Sequence, residues 1–253
     1  MIFKNKQVVE TIRGADPRKL SEAVKKLAAE ADSDGSTAAG GYGESSGTSW
    51  LGASLPKGYG DITDQIDLRG LDMLNAESGS GKGTSRTLFQ ASKPSALGGK
   101  EKAKAAEGED WVESDTDEQL MLYIPFTATL KVHTLHMTSL PPKAEDGDEV
   151  PMRPKTIQVY SNRAHVLGFD EAEDVPATQS ITLRPQDWDE KTGTAKVELR
   201  FVKFQNVTSL VIFIVDGEGS GEKVRVDRVR VIGESGEKRE LGKLEKIGDE
   251  PGE

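Results

Sequence analysis

The chain has 253 residues, a formal net charge of −10, 35% hydrophobic residues, 27 glycines, 11 prolines and no cysteine. The missing cysteine excludes disulfides, thiolate catalysis and cysteine-ligated zinc among these residues, and the negative charge disfavours nucleic acid as a partner. The low hydrophobic fraction predicts one compact core with long polar segments, and no stretch has the roughly 20 continuous apolar residues that span a bilayer.

The first 31 residues predict a small β-β-α unit. They lack the apolar core of a signal peptide, so we expect a soluble intracellular protein. Residues 2–3 and 8–12 predict two short strands. Asp16 and Pro17 then supply an N-cap and a proline at the first helical position, which predicts a helix over residues 17–31. A unit of this size cannot bury a core alone.

Residues 32–57 are rich in glycine and serine and predict a flexible linker. Trp50 and Leu51 are its apolar exceptions, and they are either solvent-exposed or docked on a neighbouring surface. Apolar residues recur through residues 61–75, which predicts a docked arm that is partly helical or extended. Residues 76–110 predict a long loop with one anchor at residues 88–89.

Short apolar runs separated by turn residues follow, without helical spacing between them. This pattern predicts an all-β core, a β-sandwich of residues 62–232. The predicted strands are residues 119–126, 129–138, 156–160, 179–183, 195–204, 208–215 and 224–232. Apolar positions change phase within residues 195–204 and again within residues 224–232, which predicts a β-bulge in each. Gln205 and Asn206 are then the turn between two adjacent core strands.

Two short motifs that resemble sites of chemistry receive structural interpretations. Residues 79–84 contain a Gly-Lys pair, but they lack the first glycine and the following serine or threonine of a phosphate loop, so a flexible loop is predicted. His133 and His136 are three residues apart and point to opposite faces of an extended strand, which disfavours a shared metal ion.

Three acidic residues precede the predicted strand 119–126. Glu113, Asp115 and Asp117 share one face if the chain is extended there, and carboxylate oxygens are calcium ligands. No glycine-turned loop or further spaced ligand accompanies them. The interpretation that these acids bond backbone groups before the strand, or form a recognition surface, is therefore favoured, and neither a metal nor a cofactor is predicted.

Several long stretches, in this order, resemble the PITH domain family over residues 58–233. They are GDITDQIDLRGLDMLN, ESDTDEQLMLYIPF, PKTIQVYSN, LRFVKFQNVTSLVIFIVD and VRVDRVRVIG. The resemblance implies a jelly-roll β-sandwich, similar to galactose-binding-like domains, that docks on the regulatory particle of the proteasome in cytoplasm and nucleus. Residues 1–31 are similar to the last strands and final helix of a thioredoxin domain, but the Cys-x-x-Cys motif is absent, so neither enzyme activity nor catalytic residues are expected.

The resemblance does not fix which residues contact the partner. The candidates are polar residues of the PITH-like stretches: Asp115, Asp117, Glu118, Gln119, Arg200, Lys203, Gln205 and Asn206. An alternative is that these groups satisfy backbone atoms or brace the sandwich. Residues 234–253 form a charged tail, either solvated or folding in a partner's groove. We expect a monomeric adaptor; the alternative is a β-sandwich module that binds a sugar or another small ligand at its loop ends.

Overall fold

The computed structural model describes residues 2–4, 7–10, 49–98, 108–142 and 150–235. The chain divides into two compact units, residues 1–47 and residues 48–253. In the first unit, β1 (Ile2–Lys4) and β2 (Gln7–Glu10) pair antiparallel. The predicted helix over residues 17–31, residues 32–48 of the predicted linker and residues 236–253 of the predicted tail lie outside the described residues.

The regular secondary structure described in the second unit is mostly strand, as the sequence predicts. They are β3 (Gly60–Asp61), β4 (Asp72–Leu74), β5 (Val112–Glu113), β6 (Leu120–Thr138), β7 (Pro154–Ser161), β8 (Gln179–Thr182), β9 (Thr194–Glu198), β10 (Val207–Gly217), β11 (Arg225–Val226) and β12 (Arg228–Ser235). One short helix, α1 (Phe169–Asp174), joins β7 to β8 and was not predicted, because six residues are too few for helical spacing to show. Short 3₁₀ turns occupy Thr63–Gln65, Thr87–Phe89, Ser95–Leu97, Pro185–Asp187 and Phe201–Phe204. No helix in these ranges is long and apolar enough to cross a membrane.

Strand β6 organises the sandwich. Its first half pairs with β4 and β10, and its second half pairs with β9 and β12, always antiparallel. Strands β7 and β8 extend the first group and β3 extends the second. The sequence predicted two strands here, but the structure has one. Pro125 pairs with Ser209 and Leu130 with Val207, so residues 126–129 oppose a single residue of β10; the predicted break is an irregularity inside one long strand.

The two groups of strands face each other across one hydrophobic core. Leu122 and Ile212 from the first group line a small apolar cavity together with Met137 and Val229 from the second. All four side chains are buried, and burial of each contributes about 1.5–3 kcal/mol to folding. Strand β6 therefore passes from one layer to the other, which gives the β-sandwich that the strand pattern predicted, of the jelly-roll type that the family resemblance implied.

The structure corrects the prediction for residues 195–204. Strand β9 ends at Glu198, and Phe201–Phe204 form a 3₁₀ turn, so no single strand covers these residues. The turn, rather than a bulge, causes the phase change: Phe204 is buried while Val202 is 89% exposed. Strands β9 and β10 are not paired with each other either. They join opposite halves of β6, and the chain must turn to cross from one layer to the other.

A second correction concerns residues 224–232. The phase change there marks a break at Asp227, between β11 and β12. Strand β11 pairs with β5, whereas β12 pairs with the second half of β6. One predicted strand is therefore two strands with different partners, because the chain changes pairing partner at the buried Asp227.

Residues 49–98 and 108–113 contribute a cover over the outer face of β12. Because Val229 and Val231 point into the core, the alternate residues Arg228 and Arg230 point outward, yet both are buried. Arg230 donates to the carbonyls of Trp50 at 3.0 Å, Phe89 at 3.1 Å and Gln90. The anchor predicted at residues 88–89 is confirmed, and Trp50, which lies within the predicted linker 32–57, is held against the sandwich.

Candidate functional site

The predicted acidic group, residues 115–119, lies in the turn between β5 and β6. Asn75, which has a φ of 58°, organises this turn: its Nδ2 donates to Asp117 Oδ1 at 2.7 Å and to the carbonyl of Gln119 at 2.6 Å. The Gln119 amide also donates to Asp117 Oδ1 at 3.0 Å. Asp117 therefore closes a turn. Asp115 and Asp117 are exposed, and Glu118 and Gln119 are half-buried.

The acidic residues do not assemble a calcium site. Glu113 accepts a hydrogen bond from Trp111 Nε1 at 2.9 Å and lies 4.0 Å from Arg225. Burial raises the pKa of the Glu113 carboxyl above its usual value, and Arg225 and the Trp111 hydrogen bond oppose the shift. Across residues 49–98, 108–142 and 150–235, no group of three or more His, Asp or Glu side chains is placed to hold a metal ion.

The other predicted residues lie in or beside the 3₁₀ turn Phe201–Phe204. Arg200, Lys203 and Asn206 are exposed, and Gln205 is half-buried. Hydrogen bonds tie each of them to its surroundings. Arg200 N donates to Gln179 Oε1 at 2.7 Å and Lys203 Nζ to the Thr178 carbonyl at 3.0 Å. Gln205 Nε2 donates to the Phe201 carbonyl at 2.8 Å, and the Asn206 carbonyl accepts from Asn162 Nδ2 at 2.9 Å. The Arg200 side chain itself makes no hydrogen bond to the described residues.

The structure separates the predicted residues into two groups. Ile214 of β10 is opposite Leu120 at the start of β6, whereas Val207 is opposite Leu130. The acidic group precedes Leu120, and the 3₁₀ turn precedes Val207. At about 3.3 Å per residue, the two groups lie about 20 Å apart along β10. One small binding patch cannot contain both.

An aromatic cluster that the sequence did not reveal lies beside the second group. The ring of Tyr59 is 4.1 Å from the ring of His133 and 5.5 Å from that of Phe201, between centroids, and all three side chains are half-buried. Strand β12 pairs Ile232 with Thr134 and Gly233 with Val132, so His133 is an extra residue, a β-bulge. Such bulges redirect a side chain, and here the bulge directs His133 toward Tyr59.

Two exposed apolar side chains belong to the segments that carry this cluster. Among the residues that the structure describes, the exposed large hydrophobic side chains are Leu55, Leu68 and Val202, at 40%, 46% and 89%. Val202 follows Phe201 directly, and Leu55 follows Ser54, whose hydroxyl accepts a hydrogen bond from Lys196 of β9 at 2.7 Å. We call the surface formed by Leu55, Tyr59, His133, Phe201 and Val202 the apolar face.

Basic side chains border the apolar face, although the whole chain carries a net charge of −10. They are Lys196, Arg200 and Lys203, and one carboxylate, Glu198, lies among them in the sequence. None of these basic groups lies within 4.0 Å of a carboxylate from the described residues, unlike Lys82, Lys131 and Arg228. The border is therefore locally cationic, and its charges have no carboxylate partner among the described residues.

The remaining buried charges hold the fold together. Arg225 donates to both carboxylate oxygens of Asp227, at 3.1 and 2.7 Å, and stacks 3.9 Å from the Trp111 ring. Arg228 donates to Asp110 Oδ2 at 2.7 Å. Burial alone would raise the pKa of Asp110, but hydrogen bonds from Ser95 and Arg228 outweigh it and lower that pKa. These groups are committed to partners within the fold, so they offer no chemistry to a ligand.

Two further predicted motifs have structural roles. Lys82, in the glycine-rich loop, forms salt bridges with Glu77 at 3.1 Å and Glu109 at 2.9 Å, so its charge is neutralised rather than offered to a phosphate. His136 is buried, and its Nδ1 lies 2.9 Å from the carbonyl of Leu51. Because a carbonyl only accepts, Nδ1 carries the proton, and burial lowers the pKa of the His136 imidazole.

Comparison with known proteins identifies relatives for most of the chain. The model of the PITH domain family matches residues 52–249. Thioredoxin-like protein 1 from Schizosaccharomyces pombe (strain 972 / ATCC 24843) is 32% identical over 248 residues, which cover 98% of this chain and 72% of the relative. PITH domain-containing protein 1 from Homo sapiens is 29% identical over 182 residues, which cover 72% of this chain and 71% of that protein.

Solved structures with a similar arrangement of strands include a lectin and a family 32 CBM. A fucolectin from striped bass (Morone saxatilis) serum aligns with a TM-score of 0.44 and 10% identity, covering 70% of this chain and 50% of the lectin. A family 32 CBM from C. perfringens NanJ in complex with galactose aligns with a TM-score of 0.40 and 8% identity, covering 69% of this chain and 98% of the module.

Proposed function

Because the chain belongs to the PITH domain family, we propose that it is a non-catalytic module that docks on the regulatory particle of the proteasome. The observation that carries the proposal is the family match over residues 52–249. The identity to thioredoxin-like protein 1 extends the match over nearly the whole chain. The family resemblance implies that docking takes place in the cytoplasm and nucleus.

A docking function is consistent with the chemistry of the described residues. The chain contains no cysteine, so its residues cannot carry out dithiol–disulfide exchange. The buried ionisable groups Arg225, Asp227 and Arg228 are committed to the fold by their hydrogen bonds. What the sandwich presents to a partner is a rigid surface with exposed loops, which is what docking requires.

The test is retention of purified regulatory particle on the immobilised full chain. We expect the particle to be retained in proportion to its concentration, and an unrelated tagged β-sandwich of similar charge serves as the control. Retention equal to that control, with both proteins folded by circular dichroism, would refute the proposal. A fluorescent fusion of the full chain, imaged in cells, tests the proposed distribution between cytoplasm and nucleus.

A small-ligand module is the second candidate. The observation that favours it is an open cleft between residues 150–153 and 218–222, bordered by Pro141 and Pro142, with Arg153, Glu218 and Glu222 as its charged groups. A thermal-shift screen of sugars and metabolites tests this candidate. A ligand present at 100 times its Kd should stabilise the fold by about 2.7 kcal/mol, and the absence of any shift would reject the candidate for the compounds tested.

A further inference from the structure

We propose that the apolar face and its basic border are the docking site for an acidic segment that presents one apolar side chain. The inference rests on the proposed function, because it names the surface with which the module would hold the regulatory particle. It depends on the exposure of the apolar face, on the rigidity of the turn that carries it, and on the charge around it.

The exposed apolar groups supply an anchor. Val202 is 89% exposed, so its side chain gains almost nothing from the fold. It follows Phe201 directly in the 3₁₀ turn, and the ring of Phe201 packs with the half-buried rings of Tyr59 and His133. Contiguous apolar patches with a polar rim mark interaction sites more often than scattered apolar residues do. A partner side chain seated against Val202 would also cover these rings.

The turn that carries Val202 is fixed before any partner arrives. Phe204 is fully buried and anchors the turn in the hydrophobic core. Gln205 Nε2 donates to the Phe201 carbonyl at 2.8 Å, and the Lys203 amide donates to the Arg200 carbonyl at 2.7 Å. A preorganised surface loses less conformational entropy on binding, which raises the affinity for a given contact area. The 3₁₀ turn is therefore suited to present Val202 as a fixed contact.

The border selects an acidic partner. Lys196, Arg200 and Lys203 have no carboxylate of the described residues within salt-bridge distance, and Glu198 is the acidic residue among them in the sequence. A guanidinium such as that of Arg200 binds a carboxylate with two parallel hydrogen bonds. Because the chain as a whole repels acidic partners, a local cationic border is needed to bring one to this face.

The acidic group at residues 115–119 does not share this role. Asp117 is committed to Asn75 and to the Gln119 amide. The group also lies about 20 Å from the 3₁₀ turn along β10. Of the residues predicted from the sequence, the docking site therefore retains Arg200 and Lys203.

The first experiment measures the affinity of the full chain for purified regulatory particle. Val202→Glu and Arg200→Glu should each weaken binding at least about tenfold. Neither change removes a buried contact, because Val202 is exposed and Arg200 is tied through its backbone amide. Leu68→Glu and Arg69→Glu are matched controls, since they make the same changes at exposed positions in another turn. The controls should bind like the unaltered chain.

The outcomes separate the inference from the proposed function. If the unaltered chain binds and all four variants bind equally well, the docking site lies elsewhere and the proposed function stands. If Leu68→Glu and Arg69→Glu weaken binding as much as the variants of the face do, the effect is general and the inference is overturned. If the unaltered chain does not bind the particle, the proposed function fails. A second experiment then tests peptide binding at the apolar face without the particle.

That second experiment uses a synthetic peptide of glutamates with one central leucine, titrated into the full chain and followed by NMR of the backbone amides. Shifts should centre on residues 200–203 and 59. A peptide with serine for leucine, and one with lysines for glutamates, should each bind at least about tenfold more weakly. No shift at these residues up to about 1 mM peptide, or equal shifts with all the peptides, would overturn the inference.

Discussion

Replacing Arg228 with methionine tests whether the buried arginines hold the cover on the sandwich. The Arg228 side chain is fully buried and donates to the Ser92 carbonyl at 3.1 Å, the Asp227 carbonyl at 2.7 Å and Asp110 Oδ2 at 2.7 Å. Methionine fills similar space but donates nothing. Removing one partner of a buried ion pair costs about 3–5 kcal/mol, because the remaining groups lose their compensation. We expect a loss of this size in the free energy of unfolding.

Urea unfolding, followed by tryptophan fluorescence and circular dichroism, measures this loss. The control is Arg69→Met at an exposed position, which should change the free energy of unfolding by less than about 0.5 kcal/mol. For a unit of about 200 residues, the same loss lowers Tm by roughly 10 °C. The double variant Arg228→Met with Asp110→Asn should lose less than the sum of its single changes, because the pair is coupled. A loss below about 1 kcal/mol for Arg228→Met would refute the view that this pair fastens the cover.

Other changes test separate parts of the fold. The pKa of His136 lies below its ordinary value, so near pH 6.5 the unfolded chain binds a proton that the folded chain does not. The free energy of unfolding should therefore fall as pH drops from about 7.5 to about 5.5. In urea titrations, His136→Asn should reduce this dependence on pH. Gly83→Ala places a Cβ 1.7 Å from the carbonyl of Trp111 and should cost about 1–3 kcal/mol, whereas Gly168→Ala, with open space around it, should cost less than about 1 kcal/mol by the same assay. Asn75→Gly keeps the left-handed backbone but loses the side-chain bonds to residues 116–119, so its thermal unfolding should show a loss of about 1–3 kcal/mol.

The strands could be predicted from the sequence, whereas their pairing could not. A run such as residues 210–215 is apolar throughout and rich in β-branched residues, which is typical of a buried strand. Which half of β6 it joins depends on contacts across more than 70 residues of sequence, and no local pattern reports them. The predicted adjacency of β9 and β10 was wrong for this reason: short connections favour neighbouring strands, but this one crosses between layers.

The buried arginines show a second limit of sequence reasoning. In VRVDRVRVI, valines and arginines alternate as in a strand with one face in the core and one in water. The outer face is nevertheless covered, because backbone carbonyls from residues 50 and 89–92 accept the guanidinium hydrogens. Every residue has a backbone carbonyl, so the sequence does not distinguish a segment that accepts these hydrogen bonds from an ordinary polar loop. Trp50 and Leu51, apolar exceptions in a glycine-rich stretch, were the available signal.

Only part of the docking site could be predicted from the sequence, for a related reason. Arg200 and Lys203 belong to a recognisable stretch, whereas Tyr59 and His133 join them through a bulge and a distant segment. The crossing from β9 to β10 requires Phe204 inside the turn and makes no demand on Val202, which the fold leaves 89% exposed. Val202→Ser should therefore change the free energy of unfolding by less than about 0.5 kcal/mol while weakening binding to the partner. If Val202→Ser lowered stability and binding by equal amounts, Val202 would stabilise the fold, and its role as the contact for the partner would be refuted.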